Sequence, residues 1–160
     1  MNLVYRWGYL LRDNMAFWKP YLPTFAEKIR LKLCALGCEE YLVPGCFRVF
    51  GFLDNTLNPS CRPGGGPTQP GVDAPRHDPL LQRAFYNGWK KCHGLKWQTV
   101  SLPNGMEFNA WGPLSLRRND ITSLEKSRLE EKLEALFAEE LERGERVYVL
   151  YGDSAYAYGE

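Results

Sequence analysis

A chain of 160 residues with 44% hydrophobic and 24% charged residues has the make-up of an ordinary globular protein and the length for one domain with a core. Its 20 basic and 19 acidic residues leave a net charge of +1, which excludes a global field that draws in nucleic acid; such binding must come from a local patch. The opening MNLVYRWGYLLR is interrupted by Arg6 and Arg12, has no signal-peptide core, and is too short to span a bilayer, so no membrane association is expected.

In residues 1–22, Tyr5, Trp7, Tyr9, Phe17, Trp18 and Tyr21 are spread among polar groups, and the segment reads as the continuation of something that begins upstream. From Thr24 a helix is expected over 24–37: Thr24 and Glu27 have the spacing of a capping box, Phe25, Ile29, Leu33 and Leu36 follow at helical spacing, and Gly37 is the stop. Residues 1–44 thus form an N-terminal helical segment, and Tyr41–Gly45 turns the chain into the domain that occupies 45–160. The cysteines at 34, 38, 46, 61 and 92 are odd in number and lack the two close pairs of a zinc site, with only His77 and His93 to help. They read as reduced thiols of an intracellular protein.

Residues 49–53 are short, apolar and without alternation, the pattern of a buried strand. Asp54 stands where that strand leaves the sheet, before the turn formers Asn55, Asn58 and Pro59. Residues 58–82 hold most of the prolines and glycines and read as a long mobile loop. Its Gly64–Gly66 run lacks the Lys-Ser/Thr ending that grips a nucleotide, so no nucleotide cofactor is expected.

Two alternating segments, 95–102 and 106–111, flank Pro103-Asn104-Gly105 and predict a β-hairpin. Tyr86, Trp89, Lys90, Lys91, His93, Lys96 and Trp97 interleave bases with aromatics, as a polyanion surface does. An ordinary half-exposed sheet accounts for the pattern equally well. Arg117 and Arg118 follow the hairpin, and then Asp120, which is either a third acid at the same sheet edge or a loop residue ahead of a helix. Thr122 with Glu125 has capping-box spacing, and Leu129, Leu133, Leu136, Phe137 and Leu141 form one apolar stripe closed by Gly144. That helix is the crossover that permits a parallel final strand, 146–151, ending after Gly152 on Asp153.

The expected fold is α/β: a mixed sheet in the order strand, hairpin, helix, parallel strand, with 49–53 and 146–151 as parallel neighbours. Ligands gather outside the carboxyl ends of such strands, so Asp54 and Asp153 converge although 99 positions separate them. Two aspartates brought together repel and need a cation or a shared proton. With water and phosphate oxygens they suit Mg²⁺, and two such ions can serve phosphodiester chemistry. Strand-end aspartates also act simply as turn caps.

The series GFLDNT (51–56), CRP (61–63), FYNGWKKCHGLKWQTVSLPNG (85–105), WGPLSLRRND (111–120) and YGDSAYA (151–157) resembles the DDE superfamily endonucleases of the PIF/Harbinger type, transposases and nucleases derived from them. The resemblance implies a ribonuclease H-like fold, Mg²⁺ or Mn²⁺ dependence, two-metal DNA cleavage with strand transfer, a Myb-like DNA-binding partner and a nuclear location. It makes Asp54 and Asp153 the catalytic, metal-binding acids, and Asp120 matches a His-Asp position in which Asn119 replaces the histidine. The family's Asp-Gly-Thr reads Asp54-Asn55-Thr56 here; Asn tolerates the left-handed backbone that Gly supplies. The family's third acid, a glutamate on a later helix, has no counterpart, and Glu160 stands too close to Asp153 to replace it. The resemblance therefore makes this a ribonuclease H-like domain incomplete at the C-terminus, inactive alone, with exposed apolar surface and a tendency to aggregate. The alternative is a non-catalytic remnant that binds DNA or protein through the 83–97 surface.

Overall fold

The computed structural model describes residues 15–38, 48–63, 79–145 and 147–156. The 41–45 turn, the triple glycine, Cys46, His77 and, of the opening aromatics, Tyr5, Trp7 and Tyr9 lie outside them. Helix α1 (Met15–Trp18) runs through a 3₁₀ turn (Lys19–Tyr21) into α2 (Leu22–Ala35). The helix begins earlier than the Thr24–Glu27 spacing predicts. Pro23 supplies the first turn, and no side chain caps it. Gly37, at φ +68°, ends it as expected. Leu22, Phe25 and Ile29 are buried, whereas Leu36 is exposed.

Strand β1 (Arg48–Ser60) is far longer than the apolar run 49–53. Helix α3 (Pro79–Phe85) and the short strand β2 (Tyr86–Asn87) then lead to β3 (Cys92–Ser101) and β4 (Glu107–Ser115). Both ends of the expected 58–82 loop are therefore regular structure; 64–78 lie outside the described residues. β3 and β4 form the expected hairpin, closed by the Gly105 N–H donating to the Leu102 carbonyl at 2.9 Å, with Gly105 at φ +81°.

The crossover after β4 is three helical pieces rather than one: α4 (Asp120–Ser127), α5 (Leu129–Leu136) and α6 (Ala138–Glu142). Its cap is Asn119, whose Oδ1 accepts the Thr122 N–H at 2.9 Å, so the helix starts before the predicted Thr122 box. The break at Arg128 has a local cause. The Ser127 hydroxyl donates to the Leu124 carbonyl at 2.8 Å and accepts the Leu129 N–H at 3.3 Å, competing with the helix's own ladder.

The last strand, β5 (Tyr148–Gly152), pairs parallel to β1, as expected. The result is an α/β fold with a five-stranded mixed sheet in the order β2-β3-β1-β5, with β4 beside β2 on the outer edge of β3. Gly94 lets β1 and β3 approach closely: a Cβ there would stand 2.5 Å from the Asn58 carbonyl oxygen.

The core lies on the sheet face that carries Leu53 and Val100. Met15, Trp18, Leu22 and Phe25 cover it from one side, and Leu124, Leu129 and Phe137 from the other. Lys19 joins the two helical groups, donating to the Leu136 carbonyl at 2.8 Å and pairing with Glu140. On the opposite face Phe52 and Tyr151 meet edge-on at 6.3 Å and are 42% and 62% exposed. No helix among the described residues is long and apolar enough to cross a membrane.

Candidate acid site at the end of the parallel pair

Asp54 reaches the site from within β1, and Asp153 follows the last residue of β5. The final parallel pair is Leu53 with Gly152. The two aspartates are thus the next residues of neighbouring strands, which lie about 4.8 Å apart where they are paired. Asp54 does not end its own strand, contrary to the reading of the turn formers behind it. What ends beside it is β5.

Both side chains are exposed, and each commits one oxygen to a nearby backbone N–H. Asp54 Oδ1 accepts from Asn55 at 2.7 Å, and Asp153 Oδ1 accepts from Ala155 at 2.8 Å, opening a 3₁₀ turn (Ser154–Tyr156). The Asp153 bond is the turn cap that a strand-end aspartate makes, whereas the Asp54 bond runs to the next residue of its own strand. The second oxygen of each has no protein partner among the described residues.

Asp120 is the first residue of α4 and belongs to a different network. Its Oδ1 accepts from the Lys96 ammonium at 2.7 Å and from the Asn55 side-chain amide at 2.8 Å. The same amide nitrogen donates to the Tyr156 hydroxyl at 2.8 Å, and the buried Asn55 Oδ1 has no partner among the described residues. Successive strand residues point to opposite faces, so Asn55 and Lys96 lie on the helix-covered face and Asp54 on the other. Lys96 is 4% exposed and therefore no part of a polyanion surface, which corrects its place in the 83–97 patch.

Tyr156 is where the three acids are felt together. Burial first, then the charges of Asp120, Asp54 and Asp153, push its phenol above the usual range, against the hydrogen bond from Asn55. Sequence reasoning missed Tyr156 and gave Asn55 only a turn. The available signal was the three-residue spacing of Tyr156 from Asp153, which one 3₁₀ turn brings together.

The remaining predicted contacts gather elsewhere. Trp89, Lys90 and Lys91 occupy the turn between β2 and β3, Arg117 and Arg118 the turn after β4, and all are exposed, Trp89 to 88%. Asn87 ties the turns together: its side-chain nitrogen donates to the Leu116 carbonyl at 2.7 Å and its oxygen accepts the Lys90 N–H at 2.8 Å. His93 is half-buried, its ring 5.0 Å from that of Tyr86. His93 pairs with Ser60, six residues beyond Asp54 on β1, so it lies about 20 Å from Asp54 along the strand, whereas Arg118 is two residues from Asp120.

Comparisons with protein-family models, curated proteins and solved structures give no match to this chain. Among the described residues no group of three or more His, Cys, Asp or Glu side chains is placed to hold a metal ion. The donor set at Asp54 and Asp153, two carboxylates each with an uncommitted oxygen, fits a hard divalent cation completed by water or phosphate oxygens. Asp120 differs from these two in that its Oδ1 is already taken by the Lys96 ammonium and the Asn55 amide, so its charge is countered before any cation arrives.

Proposed function

We propose that this chain carries the core of a metal-dependent DNA nuclease of the DDE type, with a ribonuclease H-like sheet and with Asp54 and Asp153 as the ligands of Mg²⁺ or Mn²⁺. The observation that carries the reading is the register of β1 and β5, which sets these two acids at adjacent positions where the parallel pairing stops. Such an ion, when bound, polarises phosphoryl oxygens and lowers the pKa of a bound water. The chain's own residues do the positioning. The Asn55 and Ala155 N–H groups each fix one oxygen of a carboxylate, which turns the other outward. The Tyr156 hydroxyl stays protonated beside them.

Calorimetric titration with MnCl₂ tests this. Asp54→Asn and Asp153→Asn are each expected to weaken Mn²⁺ binding by about tenfold or more. Equal affinity in the parent and both variants would remove the metal site.

A second reading has its own observation, the exposed Trp89, Lys90, Lys91, Arg117 and Arg118 that Asn87 gathers at one end of the sheet. In it the chain binds DNA without cutting it. Salt-dependent duplex binding that survives Asp54→Asn and is lost in a Lys90→Glu, Lys91→Glu double variant, with no Mn²⁺ bound, would favour that reading.

A further inference from the structure

Among the described residues Lys96 is the only buried side chain with a full charge. It is carried inward by the middle of β3, opposite Leu57 of β1, and its ammonium donates to Asp120 Oδ1. We propose that this ammonium is the resident cation of the acid site: it takes, at Asp120, the place a second divalent ion would occupy, so that the chain holds one such ion rather than two. The proposal rests on the reading of Asp54 and Asp153 as metal ligands, and it limits that reading.

Three observations carry it. Asp120 Oδ1 already receives two donors, from Lys96 and Asn55, which fills the lone pairs of that oxygen. A metal ion that displaced Lys96 would leave a buried ammonium without its counter-charge, which a protein interior disfavours strongly. The charges also balance for one ion. At their formal charges Asp54, Asp120, Asp153 and Lys96 sum to −2, which a single divalent cation neutralises. A second would leave the cluster positive, with two metal ions and an ammonium repelling one another.

The test is the number of Mn²⁺ ions bound by the parent chain, from calorimetry checked by the paramagnetic resonance of free Mn²⁺. One ion per chain is expected. Two ions would overturn the proposal while leaving Asp54 and Asp153 as ligands; none would overturn both. Lys96→Met is expected to take up a second Mn²⁺, and Lys96→Arg, which keeps the charge, to remain at one. A folded Lys96→Met that still binds only one ion would sink the idea that Lys96 excludes the second. Asp120→Asn gives an arm that leaves Lys96 in place. Its Mn²⁺ affinity is expected to stay within about threefold of the parent. A loss of about tenfold or more, the scale of losing a ligand or the group that orients one, would couple Asp120 to the first ion and overturn the proposal.

Discussion

Tyr156 shows how one side chain reports on its neighbours. Its hydroxyl accepts from Asn55, and burial together with three nearby carboxylates disfavours its ionisation in the folded chain. In the unfolded chain it titrates near the ordinary phenol value of 10.0. The folded state therefore keeps a proton that the unfolded state releases. Stability that is complete below the unfolded value falls as the pH rises above it. Tyr156→Phe removes both the titration and the bond to Asn55. At about pH 8 the parent is expected to be more stable than the variant by about 1 kcal/mol. That gap should shrink by about pH 10.5, where only the parent carries the linked loss. Urea unfolding of both chains at the two pH values checks this, and a gap that widens would contradict it.

At the scale of elements, what was legible in the sequence is what local chemistry decides. Pro103-Asn104-Gly105 foretold the β3–β4 hairpin, Gly37 and Gly144 the helix stops, and the two apolar runs the parallel pair. The errors have physical reasons. Asn55, Asn58 and Pro59 are turn formers by themselves, but nine consecutive pairs with β3 hold them extended. β5 stops at Gly152, so this part of β1 is a sheet edge among the described residues, where a proline is tolerated. A lysine in an alternating strand reads as solvated; the counter-charge that turns Lys96 inward is Asp120 of α4, 24 positions later. The break at Arg128 falls just before the apolar stripe, which begins at Leu129, and the break at Phe137 is hidden because the stripe runs through it. Ser127, which makes the break at Arg128, also accepts from the buried Gln98 side chain at 2.8 Å. Ser127→Ala leaves the Gln98 amide buried and without a partner, and is expected to cost about 1–3 kcal/mol. Denaturant unfolding measures it; an unchanged midpoint would mean that the Gln98 amide finds another acceptor.

For the molecule as a whole, stability and the acid site draw on the same strand. Phe50 is fully buried and packs edge-on against Phe108, ring centres 5.0 Å apart, while four residues later β1 delivers Asp54. Phe50→Ala is expected to cost about 3–5 kcal/mol, a large part of the 5–15 kcal/mol (roughly) typical of a domain. Loss of the cooperative thermal transition, or a melting point well below that of the parent, is the expected result. The two aspartates also differ in what carries them. Asp54 is clamped in a ladder that continues six residues beyond it, whereas Asp153 hangs on a single 3₁₀ turn past the last rung of β5. On the proposed reading, an ion seated between them meets one jaw built into the ladder of β1 and one carried by the short 153–156 turn, so adjustment to its size falls to that turn.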